Sequence, residues 1–276
     1  MSDQPNAEIA AFVGGGIMAE ALMARLLERG RFRPEQVRVG EPLAERRAVL
    51  QERYGIRPYA DNREAVRDAG LVVLAIKPQV LDRVLGDLRG AIGDGALVLS
   101  IVAGATVDRI MQALGARAVV RAMPNTPGQV GEGATVWTAT PATSDVQRGL
   151  AREVLGALGL EIEVAQERYL DMATALSGSG PAYVFLFIEA LVEAGVRMGF
   201  ARPVADQLAL QTVRGAAIYA QQAGISAADL RARVTSPGGT TAEALYQLER
   251  CGFRGAVLEA VQAAYHRAQE LGRSDS

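Results

Sequence analysis

The chain is poor in the side chains that most often carry enzyme chemistry. Its 276 residues include one cysteine (Cys251), one histidine (His266) and one lysine (Lys77). A disulfide within the chain is excluded, as is a zinc site built from several Cys or His, and no metal is expected. A Ser-His-Asp triad could draw only on His266, close to a polar C-terminal tail. The charges nearly cancel, with 29 basic and 31 acidic residues. Such a chain has no overall attraction to nucleic acid or to an anionic membrane, and neither is expected as a partner. No segment offers the ~18 uninterrupted apolar residues of a membrane span. The opening residues, MSDQPNAEIAAFVGGG, carry acids where a signal peptide carries positive charge. A soluble, reducing, cytoplasmic setting is expected.

What is present suits a large core. At roughly 100–200 residues per domain the length corresponds to one large domain or two ordinary ones. The chain is 49% hydrophobic and 22% charged. Between residues 8 and 163 short apolar runs alternate with longer amphipathic ones. The runs fall at 9–13, 36–39, 71–76, 97–101, 118–120 and 161–164, and several are rich in Val, Ile and Leu with few polar positions. Such runs suit strands buried on both faces, as in a parallel sheet. Helical stretches are predicted between them at 16–29, 43–54, 63–69, 79–91 and 107–114. Strand and helix alternating in this way predict a Rossmann-type, doubly wound α/β domain over residues 1–165.

The texture changes after residue 166. Strand signals stop, and helical stretches rich in Ala and Leu follow one another, separated by Gly, Pro and Ser. Residues 181–198 are apolar on nearly all sides, so a helix there must be buried. A helical segment of ~110 residues has limited room to enclose such a helix alone. Residues 166–276 are therefore expected to form an all-helical domain whose core is completed by a second copy of the chain.

The first strand runs directly into Gly14-Gly15-Gly16-Ile17-Met18-Ala19. In a strand–turn–helix of this kind the first glycine permits the tight turn and the second admits a pyrophosphate close to the backbone. A small third residue lets helix and strand pack. Unpaired N–H groups at the helix N-terminus then face the phosphates, and dinucleotide binding is predicted. Glu41 follows the second strand, 25 residues past Gly16. An acid there usually bonds the ribose 2′-OH of NAD and repels a 2′-phosphate. Arg46 and Arg47 follow closely and could grip that phosphate or simply form a solvated helix face. Both cofactors stay open.

Three further segments stand out. Ala75-Ile76-Lys77-Pro78 ends the strongest strand, at the carboxyl edge where doubly wound sheets bind ligands. Ser177-Gly178-Ser179-Gly180-Pro181-Ala182-Tyr183 and Ser236-Pro237-Gly238-Gly239-Thr240-Thr241-Ala242 are small-residue turns that each open a helix. Ordinary capping would account for either turn, but their hydroxyls and free N–H groups would also suit a small carboxylate.

Taken with FVGGGIMAEAL, AIKPQ, SIVAG and RAMPNTP, these segments resemble the pyrroline-5-carboxylate reductase family in the family's own order and over essentially the whole chain. The resemblance implies reduction of the cyclic imine 1-pyrroline-5-carboxylate to L-proline by NADPH or NADH, the last step of proline biosynthesis. It also implies an interlocked homodimer, sometimes assembled into a homodecamer. Gly14, Gly15, Gly16, Ile17 and Met18 would cradle the cofactor diphosphate, with Asn62 at the adenosine end. Ala75, Ile76, Lys77 and Pro78 would line the cofactor's middle. Ile101, Val102, Ala103 and Asn125 would lie near the nicotinamide. Glu167 would face the substrate, Ser236, Gly238, Gly239 and Thr240 would hold its carboxylate, and the Thr241 hydroxyl would reach the ring nitrogen as the catalytic group. Two positions depart from the pattern. Glu41 stands where members often carry Ser or Asn, and Arg233 where some carry Asn. A β-hydroxyacid dehydrogenase shares the two-part plan but offers a lysine on the helix after its Gly-rich turn, where this chain reads AYVFLFIE.

The scarcity of Cys and His fits imine reduction. A protonated iminium is already electrophilic, so positioning and electrostatics can carry most of the catalysis.

Overall fold

The computed structural model describes residues 9–273. The acidic residues before Ile9, read above against a signal peptide, and the end of the polar tail lie outside the described residues. Eight strands form one sheet: β1 (Ala10–Val13), β2 (Val37–Gly40), β3 (Arg57–Tyr59), β4 (Leu71–Leu74), β5 (Leu97–Ser100), β6 (Val119–Met123), β7 (Gly133–Ala139) and β8 (Gly159–Glu163). Their order is β3-β2-β1-β4-β5-β6-β7-β8. Order reverses between β1 and β4, which pair in parallel from Ala10↔Leu71 to Val13↔Leu74. That is the switch point at which doubly wound sheets open a ligand crevice.

Six helices cover the sheet: α1 (Ile17–Glu28), α2 (Ala44–Tyr54), α3 (Asn62–Val66), α4 (Leu81–Leu88), α5 (Val107–Leu114) and α6 (Asp145–Gly156). Successive strand residues point to opposite faces. Phe12, Val39, Val73 and Leu99 therefore meet Leu22 and Leu26 of α1, Leu50 of α2 and Val154 of α6. Val13, Leu74 and Val98 meet Val66 of α3, Leu81 and Leu85 of α4 and Ile110 of α5. Burial on both sides is why these strands read as unbroken apolar runs.

The sheet is parallel except where β6 and β7 pair antiparallel. Residues 124–132 between them are too few for a parallel crossover, which needs about a dozen or more. Three elements lie outside the sequence expectation. Strand β3 is a short edge strand with Pro58 in it, and β7 is interrupted by Thr135 and Thr138 instead of forming an apolar run. Helix α6 opens on a capping box, Ser144 with Gln147.

Helical segments follow: α7 (Arg168–Ala173), a π turn (Thr174–Gly178), α8 (Gly180–Arg197), α9 (Arg202–Gln222), α10 (Ala227–Arg233), α11 (Thr240–Arg250) and α12 (Phe253–Arg273). The chain separates into two compact units. One comprises the residues up to Ser179 together with those from Ala264 on, and the other is Gly180–Ala263. Within the second unit Gly195 of α8 lies against Ala205 of α9, where an added Cβ would stand 3.0 Å from the Ala205 Cβ. The buried apolar cluster there is small: Val192, Ala205 and Ala209. Phe185, Leu186, Met198 and Leu258 are all exposed. The stretch Arg168–Arg197, in which an 18-residue window has mean hydropathy 1.5, is long and apolar enough by length and composition to cross a bilayer. The core helix of a soluble protein can have the same length and composition.

Candidate active site

The glycine turn sits between β1 and α1 as the sequence predicts, and its shape leaves no freedom at two of its residues. Gly14 has φ +96°, and a Cβ there would stand 2.7 Å from the Ala75 carbonyl oxygen. On Gly15 a Cβ would lie 2.8 Å from Leu50 Cδ1 and 3.2 Å from Glu41 Oε2. Not all of its amides face outward. The Gly14 N–H donates to the Gly40 carbonyl at 2.8 Å, and the Gly15 N–H donates to Glu41 Oε2 at 3.0 Å. The donors left for a ligand are those of Gly16 and the first turn of α1, at Ile17, Met18 and Ala19, which have no intrahelical acceptor. Gly16 and Ile17 are exposed and Met18 is half-buried against the core.

Glu41 is buried at the end of β2 with both carboxylate oxygens engaged, since Oε1 accepts from the Leu43 N–H at 3.0 Å. The two arginines behind it diverge. Arg46 donates to the Gly15 carbonyl at 2.7 Å and pairs with Glu20. Arg47 donates from Nη1 to the carbonyls of Glu41 and Pro42, each at 2.8 Å. Burial would raise the Glu20 carboxyl, but hydrogen bonds from Arg46, Tyr54 and Arg53 outweigh it and hold the group below 4.5.

A cavity of about 760 Å³ opens at the switch point, lined by Gly14, Gly40, Pro42, Asn62, Ile76 and Arg83 among others. Asn62 opens α3 behind the cap of Asp61, whose carboxylate accepts from the Arg63 N–H at 2.8 Å. Its Oδ1 lies so close to Gly40 that no Cβ fits there. Glycine turn, unpaired amides and cavity together fit a dinucleotide. Half-buried Ala75 and Ile76 follow β4, the exposed Lys77 ammonium has no partner among the described residues, and Pro78 begins a 3₁₀ turn.

Ile101, Val102 and Ala103 leave the end of β5. Ile101 and Ala103 are half-buried, whereas the Val102 side chain is packed in the core. Asn125 follows β6 with both ends of its amide engaged: Nδ2 donates to the Ser177 carbonyl at 3.0 Å and Oδ1 accepts from the Ala134 N–H at 2.8 Å. Glu167 directly precedes α7. Its Oε1 accepts from Arg121 Nη1 at 2.7 Å and from the Val107 N–H, at the start of α5, at 2.8 Å.

Arg121, absent from the sequence-predicted set, is buried on β6 and also reaches Asp171 at 3.5 Å. Burial, opposed by Arg121 and reinforced by the Glu167 charge, pushes the Asp171 carboxyl up from 3.8. The available signal was a cation in the middle of the apolar run AVVRAM, because a buried charge needs partners.

The remaining predicted residues lie in the second unit. The Gly239 N–H donates to the Ser236 carbonyl at 3.0 Å, and Gly238 has φ +69°, as a type II turn with Pro at its second position requires. Gly239 takes the N-cap position of α11, and no side chain caps that helix end. The amides of Thr240, Thr241 and Ala242 have no intrahelical acceptor. Among the described residues the Ser236 and Thr241 hydroxyls have no hydrogen-bond partner, and Thr241 is half-buried.

Comparison with known proteins covers both units. A family model described as pyrroline-5-carboxylate reductase dimerisation matches residues 167–271, and one described as NADP oxidoreductase, coenzyme F420-dependent, matches residues 9–104. A pyrroline-5-carboxylate reductase of Synechocystis is 46% identical over 95% of this chain and 97% of the relative. The solved structure of a pyrroline-5-carboxylate reductase from Coxiella burnetii superposes with a TM-score of 0.90 at 38% identity, covering 97% of this chain and 100% of that one. The Plasmodium falciparum pyrroline carboxylate reductase, solved with NADP bound, gives 0.87 at 30% identity over 98% and 99% of the two chains. A match of this extent, across both the glycine turn and the helical part, establishes that the chain belongs to the pyrroline-5-carboxylate reductase family.

Proposed function

We propose that this protein reduces 1-pyrroline-5-carboxylate to L-proline with a reduced nicotinamide dinucleotide, as the last step of proline biosynthesis. The observation that carries this reading is the intact Ser236–Thr241 turn, with its uncapped amides, in a chain of this family. A cofactor sensor without turnover would have no use for such a cradle.

The amides of Gly16, Ile17 and Met18 would hold the diphosphate behind the close-packed Gly14 and Gly15, with Asn62 at the adenosine. Residues 75–78 would line the cofactor's middle, and Ile101, Ala103 and the backbone of Val102 would border the nicotinamide. Asn125 would act by bracing this edge. The cofactor, when bound, supplies hydride. The amides of Thr240 and Thr241 and the Ser236 hydroxyl would take the substrate carboxylate, with Gly238 and Gly239 shaping the turn, while Thr241 Oγ1 would hold the proton at the ring nitrogen. Glu167 has one oxygen committed to Arg121 and Val107, leaving Oε2 to favour a cationic iminium.

We place the functional boundary near residue 165, a reading supported by the span of the dimerisation family model. The exposed apolar side chains of α8 would be covered by a second copy in an interlocked homodimer, with assembly to a homodecamer as a further step. Neither nucleic acid nor membrane is proposed as a partner. A cytoplasmic location suits the single, exposed Cys251. The test is absorbance at the reduced-nicotinamide band with pyrroline-5-carboxylate and NADH or NADPH. Oxidation of at least one is expected, and none from either overturns the reading. Thr241→Ala should lower kcat/KM by about 10–100-fold, the worth of one hydrogen bond to a charged group.

A further inference from the structure

Resting on that reading, we propose that Arg121 is a positioning residue for the reaction: it acts through Glu167, holding that carboxylate in one place beside the start of α5. The guanidinium has little surface to offer a ligand directly, because the Arg121 side chain is 6% exposed. An arginine is rarely so enclosed unless it is paired. Its backbone is fixed inside the sheet, with Ser100 of β5 on one side and Thr138 of β7 on the other.

From there the side chain takes two partners. Nη1 donates to Glu167 Oε1 at 2.7 Å, and Nη2 lies 3.5 Å from Asp171 Oδ1. The two acids are four residues apart, one helical turn, and so share a face on which like charges repel. The fork of a guanidinium gives each carboxylate its own nitrogen, which a single ammonium cannot do. Glu167 passes the constraint on. The same Oε1 accepts from the Val107 N–H at 2.8 Å. That amide opens α5, where no intrahelical acceptor exists, and Ala103 of the proposed nicotinamide border lies just before it in the chain. Two donors from two elements, β6 and α5, therefore arrest the carboxylate and leave Oε2 over. A functional side chain is only as precise as the groups that lock its rotamer.

The test is a double-mutant cycle on pyrroline-5-carboxylate reduction with Arg121→Lys and Glu167→Gln. Arg121→Lys keeps the charge but loses the fork. It should lower kcat about tenfold with KM changed less than about threefold, since misplacement of a group costs rate more than binding. In the Glu167→Gln background the same substitution should cost less than about twofold, because the two residues act as one unit. Equal losses in both backgrounds mean that Arg121 only supports the fold, and they overturn the proposal. An unchanged kcat in Arg121→Lys does so too. A second arm needs no turnover, and so fails or succeeds separately from the assigned reaction. Amide hydrogen exchange at Val107 should quicken about tenfold in Arg121→Lys, while the Val98 amide of β5, bonded to the Ala118 carbonyl, keeps its native rate. Unchanged exchange at Val107 overturns the proposal, and so does an equal rise at Val98, the mark of general loosening.

Discussion

The two units of this chain bury their apolar residues very differently. In the first, alternate residues of β1, β4 and β5 feed two separate clusters, one on each face of the sheet. In the second, the buried apolar cluster is Val192, Ala205 and Ala209, while Phe185 is 56% exposed and Leu186 68%. Hydrophobic periodicity reports that a side chain needs cover. It does not say whether the cover comes from the same chain, and in the second unit the chain itself leaves these side chains uncovered.

The sharpest way to break the comparison is to charge the exposed face. Leu186→Asp should weaken self-association by at least about a hundredfold, because an aspartate buried without a partner is a severe penalty. Sedimentation equilibrium would then show the monomer mass. Val49→Asp on α2, a residue of similar exposure to Phe187, should leave the mass of the native protein intact. Equal behaviour of the two variants would remove the distinction between the units.

An effect of comparable size is expected from the polar interior of the first unit. Arg121→Met removes the cation between Glu167 and Asp171, and breaking a buried pair from one side costs about 3–5 kcal/mol. Thermal unfolding should show it. Asp171 adds a pH signature. Its carboxyl is raised in the folded state, so its contribution to stability is complete below 3.8 and declines as pH rises through the folded value. Losing Arg121 should steepen that decline.

The smallest expected change is at Glu20. Its folded carboxyl lies below 4.5, so it stabilises the protein above that pH and ceases to do so as the medium is acidified through the folded value. Glu20→Gln should cost about 1–2 kcal/mol near neutrality. In a melting series the gap to the native protein should close at low pH.

Most of the first unit was legible because its central strands are buried on both sides and read as runs. Strand β3 was not, since an edge strand of Arg57, Pro58 and Tyr59 has no apolar signal. Strand β7 was missed because Thr135 and Thr138 are buried polar residues that break its pattern. In the site, glycine spacing marked the dinucleotide turn, but spacing could not reveal that Glu41 turns inward or that the Asn125 amide engages Ser177 and Ala134. Those facts depend on contacts between residues distant in sequence.

The glycine turn is held from two directions, its Gly15 N–H by Glu41 and its Gly15 carbonyl by Arg46. A loop so restrained has already given up its conformational entropy when the chain folds. Phosphate recognition then orders little that was mobile before, and the interaction free energy goes into affinity instead of into freezing the backbone.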